Sequence, residues 1–480
     1  MPVDFVANVI WGKVTWLPSL WTVAKVVPVV CVIVLVKLFS AGAKNTSERK
    51  MHGKVIMVTG GTSGIGAAAV LELASRGAQI VLLTRQSPSD MFLVDYIEDL
   101  RERTGNELIY AEQVDLSSLY SIRKFATRWI NNAPPRRLDM IVLCAATLTP
   151  PGKPRVTTKE GIEETWMINY LANFHLLSIL SPAIRAQPPD RDVRIIFTTC
   201  SSYNKSPTVG DGSDAIKKKD WNPSAAYARS KMALMIFGQA FQKHLESYKR
   251  PDEAVMNARV IFVDPGYCRT PGFRRWFSRG TLWGLALYVM LWQNVWLLLK
   301  SSQGGAQSIC YSAMEAALGR GPGGKLIKEC REIDFATSDI KDETIAKKLW
   351  EGSENLIERV EREEAVRRAL EKKEEEAAEK ANGASEKPSD NSGTIGTAPE
   401  NSKGKSRRQR KANPQISGRS YASCQALSRY DGIVSFNVGA RLAKVFKFIA
   451  KDTWEIFERV LYDMYPQTHE DHVTYYPQRK

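Results

Sequence analysis

A tyrosine and a lysine stand four residues apart in "YARSK", residues 227–231. On a helix, positions i and i+4 share one face, so Tyr227 and Lys231 meet. A phenol with a pKa of about 10 is a poor acid or base at neutral pH. A neighbouring ammonium stabilises the phenolate and lowers that value, which suits proton transfer. The Y-x-x-x-K spacing is common by chance, and its weight comes from a second motif. "VTGGTSGIG", residues 58–66, directly follows an apolar run and opens a helical one. Gly60, Gly64 and Gly66 permit a tight turn and close approach of backbone to a pyrophosphate. The helix N-terminus behind them offers free N–H groups and a positive dipole end.

The next apolar run ends in "LLTRQ", with Arg85 and no carboxylate. An acidic side chain there would bond the ribose 2′-OH of NAD, whereas a guanidinium suits a 2′-phosphate. The reading is NADP(H), the alternative being an Arg85 that points to solvent. Asp115, in "EQVDLSS", is placed to accept from an adenine amino group.

These side chains need a frame, and the chain supplies one between about residues 53 and 348. The runs 54–60, 79–85, 138–146, 193–200 and 258–266 are continuous and rich in Val, Ile and Leu, with helical patterns between them. Such runs indicate a parallel sheet covered on both faces. The fold class is therefore α/β, a doubly wound parallel sheet of the Rossmann type.

Taken together, these motifs resemble the short-chain dehydrogenase/reductase family over roughly residues 53–350. The stretch 300–334, "KSSQGGAQSICYSAMEAALGRGPGGKLIKECREID", is similar to the retinol-dehydrogenase-like and WW-domain-oxidoreductase-like branch. The resemblance implies Tyr227 as general acid/base and Lys231 as the residue that lowers its pKa and holds the nicotinamide ribose. It implies Asn169, in "MINYLANFHLL", as holder of a relay water. It implies a cofactor-binding set of Gly60, Thr62, Ser63, Gly64, Ile65, Gly66, Arg85, Asp115, Leu116, Ala145, Tyr227, Lys231, Pro265, Gly266 and Thr270. The chain departs from the family twice. "LCAA", 143–146, replaces the Asn-Asn-Ala-Gly after the fourth strand, keeping Ala145 but losing the amides that brace the sheet. "IIFTTCSSY" puts Cys200 in the slot of the catalytic serine. A one-residue shift at the strand end would restore a hydroxyl, first from Ser201 and second from Ser202. A thiol in that role is a poor donor to a carbonyl oxygen.

The 480 residues are 44% apolar and carry a formal charge of +15. Charge of that sign favours anionic surfaces. Much of it lies in "KGKSRRQRK", 403–411, and no base-reading module accompanies it, which argues against nucleic acid as a partner. The seven cysteines form no CxxC pair and lack His at ligand spacing, so neither a metal site nor a disulfide scaffold is expected.

Outside the core, residues 1–50 form an N-terminal membrane anchor with a basic flank. The apolar run 15–39 contains Lys25, Lys37, Pro18 and Pro28. It can span a bilayer, enter and leave one leaflet, or be a buried globular helix. Lys44, Arg49, Lys50 and Lys54 after it place the main domain, 51–350, in the cytosol. Residues 281–299, "TLWGLALYVMLWQNVWLLL", carry no charge over nineteen positions. A crossing there would separate the last strand from its own sheet, so a full span is excluded. Two readings remain: a lid packed on the core, or an interfacial element with Trp283, Tyr288, Trp292 and Trp296 at headgroup level and Arg274, Arg275, Arg279 and Lys300 on an anionic surface. Beyond the domain come a charged, solvated helix (351–381), a disordered basic linker (382–425) and an amphipathic segment (426–480) that docks on a membrane or on the main domain.

The expected function is a membrane-attached, NADP(H)-dependent oxidoreductase acting on a carbonyl or alcohol of a lipophilic molecule, at the endoplasmic reticulum or a lipid droplet. A mitochondrial destination is less favoured, since the first thirty residues lack arginine. A homodimer is compatible with the family. The competing reading is a catalytically weak nucleotide-binding scaffold, motivated by "LCAA" and "TTCSS".

Overall fold

The computed structural model describes residues 20–210 and 221–384. The start of the N-terminal apolar run (15–19), the linker 382–425 beyond its first three residues, the basic cluster 403–411 and the segment 426–480 lie outside the described residues. One eight-stranded sheet organises the chain, in the order β3-β2-β1-β4-β5-β6-β7-β8. Its strands are β1 (Val55–Thr59), β2 (Gln79–Thr84), β3 (Ile109–Gln113), β4 (Met140–Leu143), β5 (Val193–Thr198), β6 (Ala258–Asp264), β7 (Lys325–Lys328) and β8 (Arg331–Ile333). Strands β1 to β7 run parallel, and β8 returns antiparallel at the edge.

The helices are α1 (Leu20–Ala41), α2 (Gly64–Ser75), α3 (Met91–Thr104), α4 (Leu119–Ile130), α5 (Ala172–Arg185), α6 (Pro223–Glu246), α7 (Pro271–Ser278), α8 (Leu282–Met290), α9 (Trp292–Leu298), α10 (Ser302–Met314) and α11 (Glu343–Ala384). Alternate strand residues serve opposite layers, as the period of two requires. Ile56, Val58 and Leu82 pack with Leu73, Leu100 and Ile309 of α2, α3 and α10. Met57, Val81 and Phe197 pack with Phe125, Phe174 and Phe237 of α4, α5 and α6. Strand order reverses between β1 and β4, which opens a crevice at the carboxyl ends of the strands, hereafter the rim.

Helix α11 runs for 42 residues and differs from the solvated helix expected over 351–381. It begins at Glu343, and its first half joins the core. Leu349, Ser353, Leu356, Ile357, Val360 and Glu364 are all buried, at spacings of three or four that make one stripe. Abundant charges on the outer face hide that stripe in the sequence. Trp350 packs edge-on to Phe174 at 5.3 Å and sits 5.6 Å from Phe237, so α11 covers the apolar faces of α5 and α6.

The uncharged stretch 281–299 is neither a span nor a lid on the core. It folds as α8 and α9, with a break at Leu291. Leu282, Trp283 and Met290 are 84, 88 and 79% exposed. Only Tyr288 and Val295 turn inward. Tyr288, expected at headgroup level, instead packs edge-on to Phe277 and Trp292. The excursion closes at its base: Arg269 N donates to Lys300 O (2.8 Å) and Lys300 N to Tyr267 O (3.1 Å). Lys300, expected on an anionic surface, is buried and paired with Glu329.

Helix α1 is not a buried globular helix. Its window Ala24–Ala41 has a mean hydropathy of 2.2 and none of it is buried. Lys25 lies over the Trp21 ring, which gives that cation a partner.

Candidate active site

The glycine loop joins β1 to α2, and two glycines there are sterically obligatory. Gly60 has φ +68°, and a Cβ on it would stand 2.8 Å from Ala145 Cα. A Cβ on Gly66 would come within 2.2 Å of Gly60 O. Ser63, exposed at the N-cap of α2, makes no side-chain capping bond. Asp90, Ser118 and Asn222 do cap α3, α4 and α6. The first N–H groups of α2 are thus left for an anion. Thr62 and Ile65 lie part-buried in the loop. Tyr96 on α3, which carries no motif in the sequence, ties the loop from behind by donating to Gly61 O at 2.8 Å. Burial pushes that phenol up to about 12, so it stays a donor.

Arg85 is exposed at the end of β2 and its guanidinium hydrogen-bonds to no described residue. Asp115 follows β3, with Oδ1 accepting from Ser117 N (2.9 Å) and Oγ (2.7 Å). Leu116 beside it packs on the core. Ala145 is held by Thr59, whose Oγ1 accepts from Ala145 N at 3.2 Å. That hydroxyl supplies part of the bracing that "LCAA" lacks. Pro265 is buried, and Gly266 has φ +75°. Thr270 caps α7 and would lie 3.5 Å from a Cβ on Gly64. The loop, the β4 end and the proline–glycine turn therefore converge at the rim. The cradle and the uncapped helix fit the pyrophosphate of a dinucleotide.

Tyr227 and Lys231 do come together on α6, with Lys231 Nζ 5.7 Å from the tyrosine ring centroid. Lys231 is 3% exposed and donates to Thr198 O at 3.0 Å. Burial lowers its own pKa. Loss of solvent pushes the Tyr227 hydroxyl well above the ordinary phenol range, and the Asp264 carboxylate pushes the same way. Desolvation thus dominates, against the expectation of a lowered phenol pKa.

Strand register places the three candidates for the serine slot. β5 pairs with β6 through Thr198, and Thr199 N continues to Val263 O at 2.8 Å. No residue is skipped, so Cys200 is the residue that faces the site. Its Sγ donates to Tyr227 Oη at 3.7 Å and lies 2.7 Å from Ser202 Oγ. Ser201 turns away, correcting the preference for it: its Oγ donates to Asp264 Oδ2 (2.6 Å) and accepts from Lys328 Nζ (3.1 Å). Asp264 is buried, also accepts from Gly266 N at 2.9 Å and pairs with Lys328 at 3.3 Å. It is a structural post under the site that motif reading missed, although it directly precedes the Pro265–Gly266 turn.

Asn169 is completely buried in a π turn, Met167–Leu171, that precedes α5. Its Oδ1 accepts from Thr147 N at 2.8 Å, and its Nδ2 donates to Thr147 O (3.0 Å) and Ser230 Oγ (3.1 Å). The side chain therefore fastens the β4 loop to α6. Its backbone carbonyl accepts from Asn173 Nδ2 at 2.9 Å.

The sequence profile described as short chain dehydrogenase matches residues 54–279. An uncharacterized oxidoreductase, pbr1, of Schizosaccharomyces pombe is 43% identical over 368 residues, covering 75% of this chain and 97% of that protein. The chain belongs to the short-chain dehydrogenase/reductase family. Within this family it is similar to retinol dehydrogenase 13 of Mus musculus, 32% identical over 326 residues, with 68% of this chain and 90% of the relative covered. It is also similar to polyprenol dehydrogenase of Mus musculus, 29% identical over 300 residues, with 62% and 82% covered. The short-chain dehydrogenase/reductase membership, in the retinol-dehydrogenase-like branch, makes the protein an oxidoreductase acting on CH–OH or C=O groups with a nicotinamide cofactor.

Proposed function

We propose that this oxidoreductase is membrane-attached, uses NADP(H) and acts on the alcohol or carbonyl of a lipophilic molecule such as a retinoid, sterol, fatty aldehyde or long-chain ketone. The carrying observation is the cluster of Tyr227, Lys231 and Cys200 at the rim, beside the glycine cradle. NADP(H), when bound, supplies or accepts the hydride. Arg85 would hold the 2′-phosphate by charge-assisted bonds, and Asp115 the adenine. Tyr227 gives its proton to the substrate oxygen in reduction and takes it back in oxidation. Cys200 offers a thiol to the same oxygen, with Ser202 behind it. Lys231 orients the ribose, and Asn169 keeps α6 and the β4 loop in register. Lipophilic substrates are supported by the names of the retinol and polyprenol relatives and by the apolar surface of α1, α8 and α9. That surface, with the basic residues after α1, also supports a cytosol-facing domain on the endoplasmic reticulum or a lipid droplet.

The test uses the full chain in phospholipid vesicles with a panel of long-chain aldehydes and ketones. NADPH is oxidised in preference to NADH, and Tyr227→Phe abolishes turnover while NADPH binding persists. Turnover retained in Tyr227→Phe rejects the assignment. A scaffold with little catalysis is the second reading, favoured by a thiol in the hydroxyl slot. Failure to oxidise NADPH with any member of the panel selects it.

A further inference from the structure

Residues 42–50 look like an ordinary linker in the sequence, yet the structure pins every second one. Ala43 N donates to Glu329 Oε2 at 2.9 Å, and Asn45 N to Gln307 Oε1 at 3.0 Å. Ser47 Oγ donates to Glu315 Oε2 at 2.5 Å, Arg49 to Asp192 at 2.8 Å, and Met51 N to Arg76 O at 3.0 Å. Ala43, Asn45, Ser47 and Arg49 are part-buried, whereas Lys44, Thr46, Glu48 and Lys50 are exposed. That period of two is an extended strap laid against the fold.

The partners show where the strap goes. Glu329 follows β7 and Ala41 O lies near Gly304 at the start of α10, both at the rim. Gln307 lies midway along α10, and Glu315 just past its end. Asp192 precedes β5 and Arg76 follows α2, both at the opposite, basal edge. The strap thus runs the whole length of α10, about 20 Å at 1.5 Å per residue. A chain that enters β1 starts at the base. The strap carries α1 from there to the rim, beside α8 and α9.

At the rim α1 is docked rather than loose. Lys37 Nζ donates to Trp296 O at 2.6 Å and lies 4.7 Å over the Trp296 ring. Glu329 bridges Ala43 N and Lys300, the residue that closes the α7–α9 excursion. Glu329 and Cys330 both hold left-handed backbone, with φ +52° and +54°, in the turn between β7 and β8. Such a turn favours Gly or Asn, so the surrounding contacts must hold it. The exposed apolar faces of α1, α8 and α9 are therefore continuous. Arg274, Arg275 and Arg279 stand exposed beside them, the arrangement an anionic headgroup layer would meet.

We infer that the strap 42–50 is a rigid spacer that turns the catalytic rim toward a phospholipid surface, so that substrate passes from the lipid phase to the rim without leaving it. This rests on the membrane reading above and adds an orientation to it. The occupant of the α1–α8–α9 face is the lipid surface, bound with the rim facing it and the base facing water.

The test places a fluorescent unnatural amino acid at Arg331, beside the rim, or at Val255, which is 87% exposed on the loop entering β6 at the base. The full chain is reconstituted in phosphatidylcholine–phosphatidylserine vesicles carrying a headgroup quencher. Strong quenching at 331 and little at 255 is expected. Two variants loosen the strap: a Gly-Ser-Gly-Ser insertion between Gly42 and Ala43, and the milder pair Ser47→Ala with Gln307→Ala. Each should erase most of the rim–base difference. Turnover of a vesicle-dissolved long-chain aldehyde should then fall by about tenfold, with a water-soluble short-chain aldehyde changed by less than about twofold. Equal quenching at both positions in the native chain, or an undiminished difference in both variants, overturns the inference. Quenching is independent of catalysis, so absence of NADPH turnover would reject the catalytic reading and leave the orientation decided.

Discussion

Cys200 faces the Tyr227 hydroxyl where the family places a serine, and a thiol is the weaker donor. Cys200→Ser should therefore raise kcat for carbonyl reduction several-fold, because a hydroxyl better stabilises the developing alkoxide. Cys200→Ala, which leaves no donor, should lower kcat by about 10- to 100-fold. Steady-state NADPH oxidation with a long-chain aldehyde measures both. A serine variant slower than the alanine one would show that the thiol plays no such part. The raised pKa of Tyr227 has its own signature. A phenol that stays protonated is a ready acid, so reduction should hold level from neutral to alkaline pH. Oxidation needs the phenolate, so its kcat/KM should climb with pH across the same range. Parallel pH profiles of the two directions would contradict this. The meeting of Tyr227 with Lys231 and the tight glycine turn were legible because they follow from short spacings. Ser201 was misjudged because its orientation depends on how β5 aligns with β6, a pairing between segments some sixty residues apart.

At the scale of elements, the strands and their flanking helices were readable from continuous apolar runs, which only a doubly covered sheet can bury. Helix α11 was half readable. Its charges announce a helix, but Leu356, Ile357 and Val360 acquire meaning only against α4, α5 and α6. Trp350→Ala removes the ring that meets Phe174, Phe237 and His244. It should cost about 2 kcal/mol, less than a fully buried tryptophan because one side of Trp350 is open. A urea midpoint shift in detergent reports this; an unchanged midpoint would mean that α11 lies on the domain without supporting it. Lys300 teaches the same lesson in reverse. It read as a surface cation, and its partner Glu329 lies across a helix, out of reach of any local pattern.

For the whole molecule, two carboxylates at the basal edge tie distant segments together. Burial alone would raise Asp139, but hydrogen bonds from Arg137, Val55 N and Lys54 prevail and hold it below the ordinary range. Asp192 is likewise held low, with Arg194 and Arg49 overcoming its burial. Folded pKa values below the unfolded ones mean stability that is complete above the unfolded value and lost as pH falls through the folded one. The urea midpoint should therefore be flat from neutral to about pH 5 and fall steeply below about pH 4. Asp139→Asn should lower neutral stability by about 2 kcal/mol and flatten that acid limb. An acid limb as steep as in the native chain would place the titrating group elsewhere.

The bridge between Tyr267, Arg269 and Lys300 makes the thirty-odd residues it encloses a cassette. Departure and return share one spot on the scaffold, so the cassette can be lengthened, shortened or exchanged between relatives without disturbing a single strand pairing. Selection can then reshape this outer surface while the sheet and the helix that carries Tyr227 and Lys231 stay as they were.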